Sequence, residues 1–248
     1  MVSLLSHLIP GHRIITDPDI SKLRKQYQGV WKDRAIPYRQ LEVTKKELPN
    51  LEKLPAIVDL IRLIKATRVV NPTVMEIGCS TGYHAVAFKR AGLRATYEGC
   101  DYSPEFIKVA KAEHPGIQFK VSDATKLNYK NNQFDIVVSG CCLLHIIDYR
   151  EAVNEAVRVA KKYVIFHRTP VIHTRKTTFT KKNAYGVEML EIIFNEGELT
   201  DVFAQNNLAV IAAYTHDRLD IAGIGEPVFM KSYLCFKLTR REKSVIYF

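Results

Sequence analysis

Val74-Met75-Glu76-Ile77-Gly78-Cys79-Ser80-Thr81-Gly82-Tyr83-His84 decides how the rest of this chain is read. An apolar run ends on an acid and passes through small residues, the order expected of a strand, a tight loop and a helix N-terminus. Gly78 and Gly82 permit backbone angles and a close approach that a Cβ would block. A helix beginning near Thr81 aims unpaired backbone N–H groups at whatever lies above the loop. The stretch therefore predicts a cradle for a polar ligand. It departs from the dinucleotide fingerprint G-x-G-x-x-G, which needs glycine at Ser80 and has no place for an acid two residues before its first glycine.

Residues 95–101 predict a second strand, and it ends on Asp101, nineteen positions after Gly82. An acid at that place can accept both hydroxyls of a ribose. A third strand over residues 117–121 leads to Ser122-Asp123-Ala124, and a fourth over residues 134–138 leads to Ser139-Gly140. With these strand ends aligned, the chain from about Val74 onward resembles the class I S-adenosylmethionine-dependent methyltransferases, of the kind that act on small molecules.

The resemblance implies a Rossmann-like, doubly wound α/β fold with a seven-stranded sheet, mostly parallel with an antiparallel last strand, preceded by N-terminal helices. It implies S-adenosylmethionine as cofactor and S-adenosylhomocysteine as product. Glu76, Gly78, Cys79, Ser80 and Gly82 would form the loop at the methionine end, and Asp101 would hold the ribose. Asp123 would meet the adenine amino group, the Ala124 backbone N–H the ring, and Tyr102 the adenine face. Ser139 and Gly140 would line the sulfonium. The family's loop often reads E/D-x-G-x-G-x-G, so Ser80 in place of the middle glycine is a departure.

A chain of 248 residues with 47% hydrophobic residues fits one α/β domain with an extra segment. A soluble, cytoplasmic protein is expected. The most apolar stretch, residues 136–147, is too short for a bilayer, and residues 1–10 lack the charged start and cleavage site of a signal peptide. The five cysteines form no C-x-x-C pair, which predicts reduced thiols, and no Cys/His/carboxylate spacing suggests a metal site.

The expected division is an N-terminal helical segment or lid over residues 1–70 and a cofactor-binding domain over 71–248, with a lid insertion at about 169–195. Asp17 or Asp19 can cap a helix through Tyr27, and residues 55–65 place Ile57, Leu60, Ile61 and Ile64 on one helical face. Between them, residues 31–39 mix aromatic and cationic side chains. Trp31 either closes over the ligand or staples the helix to the core. A helix over 149–160, a buried strand over 162–167, a helix over 196–205 and a terminal hairpin of 208–214 with 228–238 complete the expected order.

Methyl transfer from a sulfonium is an in-line displacement, so the protein chiefly aligns the acceptor and removes a proton where the acceptor carries one. His145, just past the fourth strand, is the candidate general base; its alternative is to position the loop or cap the next helix. Asp148 orients it or caps the helix that follows. His167 and Arg168 end the fifth strand on the expected ligand side, where Thr169-Pro170 would turn the chain outward. Tyr185 heads a stretch reaching Glu191 that can wall an acceptor pocket or form a helix on the sheet edge. Cys141 and Cys142 lack the preceding proline of a cytosine-C5 nucleophile.

The net charge of +10, with Lys161, Lys162, Arg168, Arg175, Lys176, Lys181 and Lys182 in one acid-free stretch, keeps an RNA acceptor in play. Against it, the fourth strand does not end in N/D-P-P-Y/F and no RNA-binding module is appended. A small-molecule acceptor, anionic molecules included, is preferred over RNA, and both over a non-catalytic cofactor-fold binding protein. A nicotinamide enzyme ranks last because Ser80 breaks its glycine pattern.

Overall fold

A computed structural model describes residues 11–239; the expectation about a leader in residues 1–10 lies outside them. The N-terminal part begins with β1 (Arg13–Ile14) and three helices, α1 (Ile20–Tyr27), α2 (Ile36–Glu47) and α3 (Pro55–Ala66). Asp19 caps α1, its carboxylate accepting from the Lys22 N–H at 3.1 Å. α3 buries Ile57, Leu60, Ile61 and Ile64, the stripe its spacing predicts. α2 occupies part of the segment read as a lid between two helices; Pro37 in its first turn is compatible with a helix start.

The cofactor-type core alternates strand and helix: β2 (Thr73–Ile77), α4 (Tyr83–Arg90), β3 (Thr96–Asp101), α5 (Pro104–Glu113), β4 (Gln118–Val121), β5 (Phe134–Gly140), α6 (Tyr149–Val159) and β6 (Ala160–Ile172). After β7 (Thr178–Ala184) and β8 (Val187–Asn195) come α7 (Glu196–Gln205), β9 (Leu208–Leu219) and β10 (Val228–Lys237). Seven strands make the main sheet in the order β4-β3-β2-β5-β6-β10-β9, with β10 antiparallel to both neighbours. The fold is the doubly wound α/β class that the sequence implies. Both sheet faces are covered, as parallel strands require. Val74, Ile136, Val138 and Ile165 pack toward α3 and α4, while Met75, Val137, Val164 and Phe166 join the opposite core with residues of α6 and α7.

The chain winds outward from β2 to β4 and returns as β5 on the other side of β2. Strand order reverses there, so the loops beyond the carboxyl ends of β2 and β5 part to leave a crevice.

Two expectations are corrected. Among the described residues the sheet system holds ten strands, because the insertion is a β-hairpin, β7 with β8, and β1 pairs with β7. Tyr185 and Gly186 make the hairpin turn at φ 51° and 78°, the two positive angles of a primed two-residue turn whose twist suits the flanking strands. Thr169-Pro170 does not turn the chain outward. β6 runs on to Ile172, Pro170 lies opposite Met230 of β10, and Val171 and Ile172 pair with the end of β8. No helix among the described residues is long and apolar enough to cross a membrane.

Candidate functional site

The crevice is a cavity walled by the ends of β2, β3 and β5, the hairpin, and the N-terminal helices. Its floor is the loop between β2 and α4. Gly78 sits at φ 71°, and a Cβ there would lie 2.4 Å from the Cys142 Cβ. Ser80 adopts φ 52°, the left-handed angle for which the family's glycine would be unstrained. Its N–H donates to Asp101 Oδ2 at 3.0 Å and its hydroxyl to Gln40 Oε1 of α2 at 3.0 Å. The Gly78 and Cys79 amides are held by the Cys100 carbonyl at 2.8 and 2.9 Å.

Asp101, at the end of β3, borders this floor. Its other oxygen accepts from the Ser103 N–H at 2.9 Å. Burial pushes its carboxyl up to about 6, against the pull of the Ser103 and Ser80 amides. Asp123 and Ala124 line the same wall; Asp123 Oδ1 accepts from the Thr125 amide and hydroxyl at 2.9 and 2.7 Å, which fixes its direction. Tyr102 also lines the cavity, with the Lys32 ammonium 4.1 Å over its ring.

His145 follows β5 on a 3-10 turn (Leu143–His145) and also lines the cavity. Its Nδ1 donates to the Leu190 carbonyl of β8 at 2.9 Å, and the Trp31 ring meets it edge-on at 4.6 Å. Burial holds its imidazole below the ordinary histidine range, which keeps it neutral near pH 7. Trp31 therefore roofs the cavity, beside Tyr185 at 6.3 Å, and does not staple α1 to the main core. α1 docks on the hairpin instead, through Leu23 and Tyr27 against Leu190. Asp148 neither orients His145 nor caps α6 through its side chain; Arg24 holds it at 3.0 Å.

Gly78, Ser80, Asp101, Tyr102, Asp123, Ala124, Gly140, His145, Arg168 and Tyr185 share the cavity wall. Five other expected residues do not line it. Glu76 faces α4, where His84 Nδ1 donates to it at 2.7 Å and the Tyr97 hydroxyl donates to its other oxygen. It lies behind the floor: a Cβ on Gly140 would sit 2.0 Å from Glu76 Oε1. Cys79 packs against Gly99, and Gly82 makes the turn at φ 80° with Phe119 and His114 closing the space beside it. The Ser139 hydroxyl is spent on the Cys142 thiol at 3.3 Å.

His167 is the fifth, and strand geometry explains it. His167 and Arg168 together face Ser232 of β10, a bulge in which Arg168 takes φ 56° and donates its N–H to the Ser232 hydroxyl at 3.2 Å. The bulge swings Arg168 into the cavity and leaves His167 on the far face, 2.9 Å from the same hydroxyl. Ser80, Cys141, Arg168 and Tyr185 are all non-glycine residues at positive φ, and all four line the cavity. Backbone strain gathered in one place is a mark of a functional site.

His167 belongs to a buried group with His84 and His216, whose ring centroids lie 5.4 and 6.1 Å from its own. Burial, then the other histidines and Arg168, press His167 well below the ordinary range, and burial and Arg168 bring His216 to about 4. The unfolded chain, titrating near 6.5, then binds more protons than the folded chain between those values. Stability is full above about pH 6.5 and falls toward pH 4, by on the order of 3 kcal/mol for His216 alone. Urea midpoints measured across that range should slope less steeply in His216→Gln than in the parent; parallel slopes would remove this contribution.

Burial pushes the Cys142 thiol up to about 12 and raises Cys141 as well, which disfavours the thiolate at both. The basic run is dispersed, with Lys161 on Asp135 at 3.0 Å, Arg175 on the Gly223 carbonyl at 2.7 Å, Lys182 on Glu191 at 2.6 Å and Arg168 inside the cavity.

Residues 75–166 match a family model described as a methyltransferase domain. A demethylmenaquinone methyltransferase of Paenarthrobacter aurescens is 32% identical over 92 residues, 37% of this chain and 36% of that protein's length. A crystal structure of an S-adenosylmethionine-dependent methyltransferase from Clostridium acetobutylicum superposes with a TM-score of 0.58 at 13% identity, covering 80% of this chain and 98% of that one. The 1,6-didemethyltoxoflavin-N1-methyltransferase of Burkholderia thailandensis, bound to 1,6-didemethyltoxoflavin and S-adenosylhomocysteine, superposes at 0.55 and 15% identity over 92% and 95%.

Proposed function

We propose that this chain, which has the fold of the class I S-adenosylmethionine-dependent methyltransferases and matches their methyltransferase domain over residues 75–166, methylates a small flat acceptor that carries an ionisable O–H or N–H. The observation that carries this is one cavity lined both by Asp101, the residue that would hold the ribose, and by a neutral His145 set against Trp31. The donor set fits the cofactor: Asp101 is a buried carboxylate fixed by two amides, and neither Gly78 of the floor loop nor Gly140 at the end of β5 has room for a Cβ. Asp101 would accept the ribose hydroxyls, Asp123 and the Ala124 amide would meet the adenine, and Gly78, Ser80 and Gly140 would surround the methionine part. Once bound, the cofactor supplies the activated methyl group on its sulfonium.

The chain's own residues would do the rest. Trp31, Tyr185 and Met189 give the acceptor region aromatic and apolar surface suited to a flat ring, and they limit water. His145 Nε2 would take the acceptor proton as the nucleophilic atom attacks. Arg168 would stabilise negative charge on the acceptor, which favours an anionic molecule. Gln40 of α2 and Trp31 would cover the floor loop from the N-terminal part, with the hairpin packed beside them. Among the described residues, Lys161, Arg175 and Lys182 of the basic run are engaged by partners within the fold, so an RNA acceptor is less well supported.

Incubation with methyl-labelled cofactor and a panel of quinols and N-heterocycles, demethylmenaquinol and 1,6-didemethyltoxoflavin among them, tests the acceptor class. Label is expected in an organic-soluble product. Label in added tRNA and in no small molecule would replace this acceptor with RNA.

A further inference from the structure

Glu191 was singled out by no motif, yet it is among the most buried acids of the described chain and stands at the back of the acceptor region. It lies on β8 directly after Leu190, whose carbonyl holds His145 Nδ1. A carbonyl only accepts, so Nδ1 must carry the proton and neutral His145 presents a bare lone pair at Nε2. That Nε2 is 3.9 Å from Glu191 Oε1. The separation is too long for a hydrogen bond and short enough for a strong charge interaction once the ring is protonated.

Resting on the assignment of His145 as base, we propose that Glu191 is a positioning residue: with Leu190 it presets the tautomer of His145 and holds the imidazolium that forms when the acceptor proton arrives. One strand thus supplies both the orientation and the countercharge. Atoms balance simply, since the acceptor O–H or N–H bond breaks and its proton joins the Nε2 lone pair; the ring becomes cationic and Glu191 stays a carboxylate.

The surroundings of His145 set the sign. Lys182 Nζ of β7 sits on the same Glu191 oxygen at 2.6 Å, and His12, ahead of β1, donates through Nε2 to the other at 2.7 Å. Arg168 on β6 adds a second cation, and Asp148 is occupied by Arg24. Trp31 is uncharged, and the Cys141 thiol and Tyr185 phenol stay protonated near neutral pH. Among the charged groups acting on His145, Glu191 favours the imidazolium while Lys182 and Arg168 oppose it, as does burial. Lys182 therefore moderates Glu191, leaving His145 neutral before reaction and able to hold a proton during it.

The test is histidine-ring NMR on the full chain with 15N- and 13C-labelled histidine, saturated with S-adenosylhomocysteine. The expected result is an Nδ1–H tautomer for His145 in the parent, a titration moved down by about one pH unit in Glu191→Gln, and one moved up in Lys182→Gln. An Nε2–H tautomer, or a titration moved by neither variant, overturns the proposal. If Glu191→Gln does not fold, Lys182→Gln and the parent tautomer still decide it. Failure of S-adenosylhomocysteine to bind the parent would instead remove the methyltransferase assignment, and the titration is then read without ligand.

Discussion

His145→Ala is expected to lower the rate of methyl transfer by about 10²- to 10⁴-fold, the usual contribution of a positioned general base. Affinity for S-adenosylhomocysteine should stay essentially unchanged, because the proposal gives His145 to the acceptor and Asp101 to the cofactor. The imidazole is held below the ordinary histidine range by burial, so with cofactor saturating at every pH the acid limb of the parent's pH–rate profile should fall below about 6.5 and vanish in the variant. Steady-state rates against pH, with an acceptor found by the label screen, provide the check. A variant that keeps the parent rate and the parent limb would leave His145 as a wall of the pocket and nothing more.

The second large effect is expected at Asp101. Two charge-assisted hydrogen bonds to ribose hydroxyls are worth about 3 kcal/mol together, so Asp101→Ala should weaken S-adenosylhomocysteine binding roughly 100-fold. The carboxylate also fixes the Ser80 and Ser103 amides, so part of that loss would come from a loosened floor. Asp101→Asn keeps one accepting oxygen and should fall between. Because burial brings the group to about 6, parent affinity should decline as pH drops through that value and the carboxylate is neutralised. Affinity unchanged by either substitution would remove the ribose assignment.

The core of the fold was legible because each strand end carried its own chemistry. Glu76, Asp101, Asp123 and Ser139 mark four parallel strands in order, and apolar runs without alternation fit a sheet covered on both faces. The lid was less legible. Residues 187–193, Val-Glu-Met-Leu-Glu-Ile-Ile, begin with a polar–apolar rhythm that then breaks into a solid apolar run, so the period does not announce a strand. The signal was Tyr185-Gly186, a two-residue turn between segments rich in Thr, Val and Ile.

The assignments that moved did so for reasons invisible in one dimension. A bulge opposite Ser232 turned Arg168 into the cavity and His167 away, and nothing in His-Arg-Thr-Pro announces a bulge. Glu76 fell on the α4 face by strand alternation, where His84 and Tyr97 claimed it. Lys182 counted as part of a basic run until the hairpin register set it beside Glu191.

The most direct measurement is a calorimetric titration of the purified protein with S-adenosylhomocysteine, which requires no knowledge of the acceptor. Saturable one-to-one binding, weakened in Asp101→Ala, is the predicted result. No binding by protein shown to be folded and free of co-purified ligand would contradict the proposed methyltransferase function at its root.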